Sequence, residues 1–401
     1  MKVKFKELNS GYEGQHRVSR TSQKNKSKAI IIGVLVFAFL FVYILSSVGV
    51  IPMSAVTARV KSGISGDGER FPVAINTEST ICTDIIGDNI ILLTTENVAV
   101  YSPHGKLLFS QPHIFAKPGL SVNGKKATVF DRGGTGFMLL TDEKLVYEGQ
   151  AENTIITAEY GENGSYALGT RSKTATSALT VYGKSHKVAF QWNCSYEHIV
   201  SIALSDNGKY VGAAVMGAEN GGIFTTVQYF GIEYKEPLNT QKITGATALD
   251  LDFTAYNVLT LLADNGVYKV ERKAEKYEAI STYYSAEFNS CDISDKGNFV
   301  VSLAKYGSEN VFEISVYKPK GKVKTIITAN YEILSVYMSG KYIFALSDNK
   351  IVVYNLNGNQ VSEIEIKGEV TSLLPTDDFI FTVSLDKISR SYTYGDAVLE
   401  L

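Results

Sequence analysis

What most limits the fold of this chain is a repeat near 42 residues, assembled from short strand-like runs. From about residue 70 onward, apolar and polar residues alternate over short stretches separated by turn residues, a period of two that belongs to β-strands. Four segments share an apolar–x–Val–Tyr core, a polar turn and a second apolar run: VAVYSPHGKLLF (98–109), LTVYGKSHKVAF (179–190), ISVYKPKGKVKTI (314–326) and IVVYNLNGNQVSEI (351–364). Tyr101, Tyr182, Tyr317 and Tyr354 stand 81, 135 and 37 residues apart, near two, three and one such units. A weaker copy, GVYKVERKAEKYEAI (266–280), falls where another is expected. A second repeat runs in a different phase: Leu204-Ser-Asp-Asn-Gly-Lys-Tyr210 matches Ile293-Ser-Asp-Lys-Gly-Asn-Phe299 at a spacing of 89. Glycine after a polar residue supplies the φ > 0 position that a tight hairpin demands. One repeated turn in each phase implies at least four strands per unit.

Hairpin counting gives eight units, 78–114, 116–150, 153–195, 197–243, 246–282, 285–328, 332–366 and 369–401, with seven as the alternative because the last copy is the least regular. Four strands per forty-odd residues, without helices, is the pattern of a β-propeller. A blade buries both faces against its neighbours, so several must close into a ring before any is stable. Phe71-Pro-Val-Ala-Ile75 stands apart from the repeat and is placed to add a strand to the last blade and latch the ring.

Ahead of the repeat, residues 29–51 read AIIIGVLVFAFLFVYILSSVGVI and carry no charge. Thirteen of the sixteen residues from Ile30 to Leu45 are Ile, Val, Leu or Phe. As a helix the stretch rises about 35 Å, enough to cross a hydrocarbon core of about 30 Å. It has no polar face, unlike most buried core helices. Residues 1–28 hold eight basic residues, Lys24, Lys26 and Lys28 next to the span, against Glu7 and Glu13, a net +6. Basic flanks stay in the cytoplasm, which predicts a single-pass cell-membrane protein with a cytoplasmic 1–28 tail, a 29–51 transmembrane helix, a 52–70 linker and an extracytoplasmic 71–401 propeller. The competing reading is a signal peptide cleaved after Ala58, which the length of the apolar run disfavours.

The chain has 401 residues and 45% hydrophobic content, and beyond the tail its net charge is about −8. No basic patch recruits nucleic acid. Cys82, Cys194 and Cys291 are far apart, an odd count without CxxC or Cys/His ligand spacing, so neither a disulfide framework nor zinc is expected.

The candidate sites each have a plainer rival. Asp131-Arg132, in TVFDRGGTGFML, suits an anion or a partner's carboxylate, or else is a strand-joining turn whose Asp accepts backbone N–H bonds. His16, His104, His113, His186 and His198 form no i, i+3 or i+4 pair, so no metal or general base is expected. Asp250 and Asp252, in ALDLDF, share one face of a strand and could serve acid–base chemistry; an outward-facing strand is the default. Ser205-Asp206 and Ser294-Asp295 are adjacent and lack the spacing and Trp of a sialidase aspartate box, fitting the inner hairpin turn of WD40-type propellers instead. One tryptophan, Trp192, excludes the tryptophan-docked quinone-dependent dehydrogenases. No phosphate-cradling glycine motif leads a strand into a helix. Tyr283-Tyr284 is a weak hint of a glycan- or peptide-binding surface.

The tail and span together with ERFPVAI (69–75), IILLTTENVAVYSPHGKLLF (90–109), QPHIFAKPGLSVNGKKATVFDRGGTGFMLL (111–140) and ALSDNGKYVGAAV (203–215) resemble an uncharacterised family of Gram-positive bacterial single-pass membrane proteins with an exported WD40- or quinoprotein-like propeller. The resemblance implies architecture and location and brings no activity, cofactor or catalytic residue. The expectation is a binding, scaffold or sensing module for an envelope protein or polymer, not an enzyme. Two alternatives remain: a wall- or capsule-glycan hydrolase or lyase using channel carboxylates, and signalling through the cytoplasmic tail. Paired carboxylates of perturbed pKa in the channel would favour the first alternative, and a channel of small or apolar side chains would exclude it.

Overall fold

The computed structural model describes residues 70–400 apart from 77–78, 255–256, 274–275, 295–296, 306, 308–309 and 393–398. The tail, the expected span and the linker up to residue 69, with Lys24, Lys26 and Lys28, lie outside the described residues. Among the described residues there are 33 strands, and no helix is long and apolar enough to cross a membrane.

Eight antiparallel sheets follow one another along the chain at 80–112, 118–150, 155–194, 198–244, 248–283, 287–329, 335–367 and 372–392. Seven are built from four consecutive strands paired in chain order. Contacts between first strands of successive sheets place those strands innermost, around a central channel. The molecule is therefore an eight-bladed all-β propeller, and the count is eight rather than seven.

The eighth blade supplies three strands, and Val73–Ala74 completes it by pairing with Ile388 and Lys387. Its flanks are tied down as well. Arg70 N donates to His104 O at 3.0 Å, and Ile75 N donates to Asp386 O at 2.8 Å. Arg390 lies between the rings of Phe71 (5.3 Å) and Phe379 (4.6 Å) while donating to Pro103 O and His104 Nδ1. One guanidinium thus joins the latch, blade 8 and blade 1. On blade 7, Leu399–Glu400 adds a short fifth strand parallel to the outer strand.

The repeated tyrosines have a packing explanation. Each closes a third strand opposite the start of the second: Tyr101↔Ile90, Tyr182↔Tyr166, Tyr317↔Phe299 and Tyr354↔Ile343. Two pairs stack face to face, Tyr166–Tyr182 at 4.7 Å and Phe299–Tyr317 at 4.6 Å, cross-strand contacts of the kind that stabilise sheets. The second-phase repeat is the inner hairpin turn. Gly208 (φ 65°) and Gly297 (φ 70°) hold the left-handed position, each donating to the serine carbonyl at the head of the turn at 2.7 Å.

No blade has a core of its own. The buried apolar residues fall into eight clusters, and each spans two adjacent blades. The closing cluster joins Val73 and Phe381 of the latched blade to Ile90 of blade 1. Deleting a phenyl ring from such a site costs about 3–5 kcal/mol. Phe381→Ala should therefore lower the unfolding midpoint reported by Trp192 fluorescence, although Trp192 packs on Phe230 at the distant junction of blades 3 and 4. An unmoved Trp192 transition would show that the closing junction melts separately from the rest of the ring.

Candidate functional site

The inner strands leave one edge unpaired toward the axis, so the residues they turn inward line a channel. Five of them carry a register shift near their start, between Thr80 and Cys82, Ile155 and Thr157, Ile199 and Ser201, Ala248 and Asp250, and Phe288 and Ser290. Such a bulge resets which side chains face which way. After it, apolar side chains go between the blades and polar ones go to the channel. In blade 5, Leu251 and Phe253 are buried, while Asp250 and Asp252 face the axis. The default expectation of an outward-facing strand is thus overturned: Ala248–Phe253 is an innermost strand, and the bulge at Leu249 turns its two carboxylates inward.

Four blades place a carboxylate at one shared register position. Asp84, Glu159, Asp252 and Asp292 each precede the residue paired with Ile90, Tyr166, Leu259 and Phe299 respectively, the last ladder pair of the inner hairpin in blades 3, 5 and 6 and the last but one in blade 1. With Asp250, and with Asp88, Glu162 and Asp206 from the hairpin turns, they line a cavity of about 1010 Å³ whose one basic lining residue among the described residues is Lys125. Of these, sequence reasoning weighed Asp250 and Asp252 for acid–base chemistry and assigned Asp206 to an inner hairpin turn; the others were not singled out. The available signal was an acid followed by one apolar residue just before a turn, recurring as DI, EY, DF and DI.

Two of these carboxylates also hold blades together. Glu159 Oε1 accepts bonds from Asn123 Nδ2 at 2.8 Å and from Leu204 N, in the next blade, at 3.1 Å. Asp292 Oδ2 accepts from Met338 N of blade 7 at 2.6 Å. In this way side chains satisfy inner-edge N–H groups that no ladder partner reaches. Among the described residues Asp252 Oδ1 accepts only from the adjacent Phe253 N, and its carboxylate faces the channel.

The channel raises the pKa of its acids. Burial, opposed by the two hydrogen bonds and reinforced by Asp250 and Asp206, pushes Glu159 up to about 7. Burial likewise pushes Asp292 up to about 8 and Asp252 well above the carboxylate range, Glu159 and Asp250 adding to the latter. Asp250 is raised by burial too, but channel water reaches its side chain, which discounts the free-energy consequence. Among the described residues no three His, Cys, Asp or Glu side chains converge as ligands of a metal ion would.

The other sequence candidates lie apart from this channel. Asp131 Oδ1 accepts from Lys117 N at 3.0 Å, as a turn acceptor, and Arg132 is exposed with its guanidinium over Phe130. The loop that carries them joins the second strand of blade 2 to its third, at the end of the ring where outer strands cross to the next blade. His113 is neutral by construction, with Nε2 against Thr94 O and Nδ1 accepting from Phe115 N, and burial lowers its pKa. His104 belongs to the latch and His186 to a turn of blade 3, while His198 is exposed at the start of an inner strand. The three cysteines are free, in blades 1, 3 and 6. Tyr283 is exposed, whereas the Tyr284 hydroxyl is buried without a hydrogen-bond partner.

A carboxyl group whose folded pKa lies near 7, against about 4.3 when unfolded, binds its proton more tightly in the native state. Its contribution to stability is complete below about pH 4 and is lost as pH rises to about 7. Replacing Glu159 by Gln keeps the carbonyl acceptor and removes the titration. Urea unfolding should show Glu159→Gln gaining on the parent protein by on the order of 1–3 kcal/mol between pH 5 and pH 8. A difference that does not change with pH would contradict the raised pKa.

The channel and blade order have counterparts among solved structures, at a level of identity that speaks for the fold alone. The C-terminal WD40 domain of Sif2 aligns with a TM-score of 0.57 at 11% identity, over 82% of this chain and 99% of that one. Saccharomyces cerevisiae Sqt1 aligns at 0.55 and 11%, over 82% and 100%. BamB from Moraxella catarrhalis aligns at 0.51 and 10%, over 81% and 99%. No curated protein matches the sequence. The model of a family of unknown function, DUF5711, matches residues 73–390, from the latch strand to the last strand of the eighth blade, and the chain belongs to that family.

Proposed function

We propose that the chain is a membrane-anchored, extracytoplasmic binding module. Residues 29–51 span the membrane with Lys24, Lys26 and Lys28 on the cytoplasmic side, and the propeller recognises a protein or polymer of the cell envelope. The observation that carries the binding role is the loop face formed by the connectors between blades. Ile114 and Tyr196, from two different connectors, and Tyr283, at the end of an outer strand where a third connector begins, are 99%, 89% and 69% exposed. The bulge residues Ile81, Val200 and Leu249 add apolar surface where the inner strands begin at the same end. Uncovered apolar side chains on a rigid scaffold mark an interaction surface. Arg132, exposed on this face beside Asp131, is a contact residue in this reading. Arg70, the first described residue, donates to His104 O in a turn at the end of the ring opposite the connectors.

Because Ile114 and Tyr196 are exposed, replacing them leaves stability within about 0.5 kcal/mol. The Ile114→Ser/Tyr196→Ser variant should keep its thermal midpoint yet recover about tenfold less cross-linked partner from native membranes, about 1.4 kcal/mol of binding. Undiminished capture would remove the connector face from the proposal. Loss of the partner on exchanging residues 1–28 for an unrelated basic tail would move recognition to the cytoplasmic side and support signalling instead.

A second reading, a hydrolase or lyase acting on an envelope glycan, is favoured by the channel itself. A carboxyl of raised pKa held among other carboxylates is the arrangement that acid–base glycoside cleavage uses. Asp252 and Asp250 are the candidates, since Glu159 and Asp292 are engaged with neighbouring blades. Reducing ends released from purified envelope glycan by the parent protein and not by Asp252→Asn would establish it. No release between pH 5 and pH 8 would dismiss it.

A further inference from the structure

The turn leading from the third strand to the outer strand carries glycine in the left-handed region in three blades: Gly105 (φ 77°), Gly321 (φ 72°) and Gly358 (φ 85°). In blade 3 the equivalent position, in VYGKSHK, is His186 at φ 60°. A residue with a Cβ costs about 1–2 kcal/mol there, and such residues persist where their surroundings over-determine them, frequently at functional sites. His186 is held by its ring, which lies on that of Tyr147 from blade 2 with centroids 4.0 Å apart and planes 19° apart. Tyr166 stands behind at 5.8 Å. His186 is exposed, so the imidazole face turned away from Tyr147 is open to solvent.

Two lysines from different blades meet beside this stack. A Cβ on Gly164 would lie 3.4 Å from Lys184 Cγ and 3.5 Å from Lys126 Nζ. Lys126 also sits over the Tyr160 ring at 4.5 Å. Burial depresses the Lys126 pKa most, the Glu162 charge opposes it, and the Lys184 charge adds a smaller depression. Glu162 is itself engaged, accepting from Lys125 N at 3.1 Å. Two ammonium groups brought together in this way repel each other, and an anion between them relieves that repulsion.

We propose that His186, stacked on Tyr147 and flanked by Lys126 and Lys184, is a binding platform for an acidic saccharide. The C–H face of a pyranose ring packs on the open imidazole, and the sugar's anionic group pairs with the two lysines. The site lies beside the acidic channel, whose Glu162 attracts Lys126, and in its choice of ligand it rests on the reading of the chain as a binder of an envelope polymer.

The test titrates the full chain, purified in mild detergent, with a hexamer of galacturonic acid and with the neutral galactose hexamer, following the histidine ring resonances and the heat of binding. The acidic hexamer should bind, perturb His186, and bind about tenfold more weakly, about 1.4 kcal/mol, to His186→Gly and to Lys126→Gln/Lys184→Gln. His186→Gly restores the residue the other turns use, so its thermal midpoint should not fall, which separates lost binding from lost folding. No binding of the acidic hexamer, or equal binding by His186→Gly and the parent, overturns the proposal. Equal binding of the neutral hexamer overturns the role of the lysines. A partner protein captured in the cross-linking experiment while no saccharide binds removes this site and leaves the binding-module reading standing; failure of both removes both.

Discussion

Everything in this structure depends on apolar packing between neighbouring blades. Each strand pair has its hydrogen bonds within one blade, but the buried Ile, Val, Leu and Phe side chains of a blade share each cluster with those of its neighbour. Burial at roughly 25 cal/mol per Å² is the dominant favourable term in folding, and here the cluster between the eighth blade and the first forms only when the ring closes. The segment around Val73 is therefore as consequential as any whole blade. Its two ladder residues, the Arg390 clamp and the contacts of Phe71 with Phe381 convert an open array into a closed one.

Closure also creates the channel. An inner strand is an edge strand, and its inward N–H groups have no ladder partner. Glu159 and Asp292 answer that need across blade junctions, which gives two of the channel acids a structural role. Among the described residues Asp250 and Asp252 have no such engagement, and their carboxylates lie among other acids with one lysine in the lining. The electrostatic character of the channel is thus partly a by-product of how the ring is stitched and partly a surplus available to function. The exposed apolar side chains follow from the same geometry, because the bulges that start the inner strands push Ile81, Val200 and Leu249 outward.

The blade pattern was legible in the sequence because it rests on local rules. Val–Tyr before a polar turn, and glycine where φ must be positive, recur at near-constant spacing, and the eight units counted from them fall within a few residues of the eight sheets. The latch was legible because FPVAI is strand-like and stands outside the repeat. The acid cluster was not, since Asp84, Glu159, Asp252 and Asp292 become neighbours only when inner strands over 200 residues apart meet around one axis. The orientation of Asp250 and Asp252 was missed for a local reason: the bulge at Leu249 shifts the alternation by one residue, and periodicity alone does not reveal it. The special status of His186 was visible only by aligning turns, where it replaces glycine.

The central claim is that a closed propeller is held outside the cell membrane by one span to bind an envelope component. The most direct test is the accessibility of epitopes placed at the two chain ends in sealed, right-side-out membrane vesicles. The account predicts that an epitope after Leu401 is bound by antibody without permeabilisation, and that one before Met1 is bound only after it. An exposed amino end with a protected propeller would contradict it.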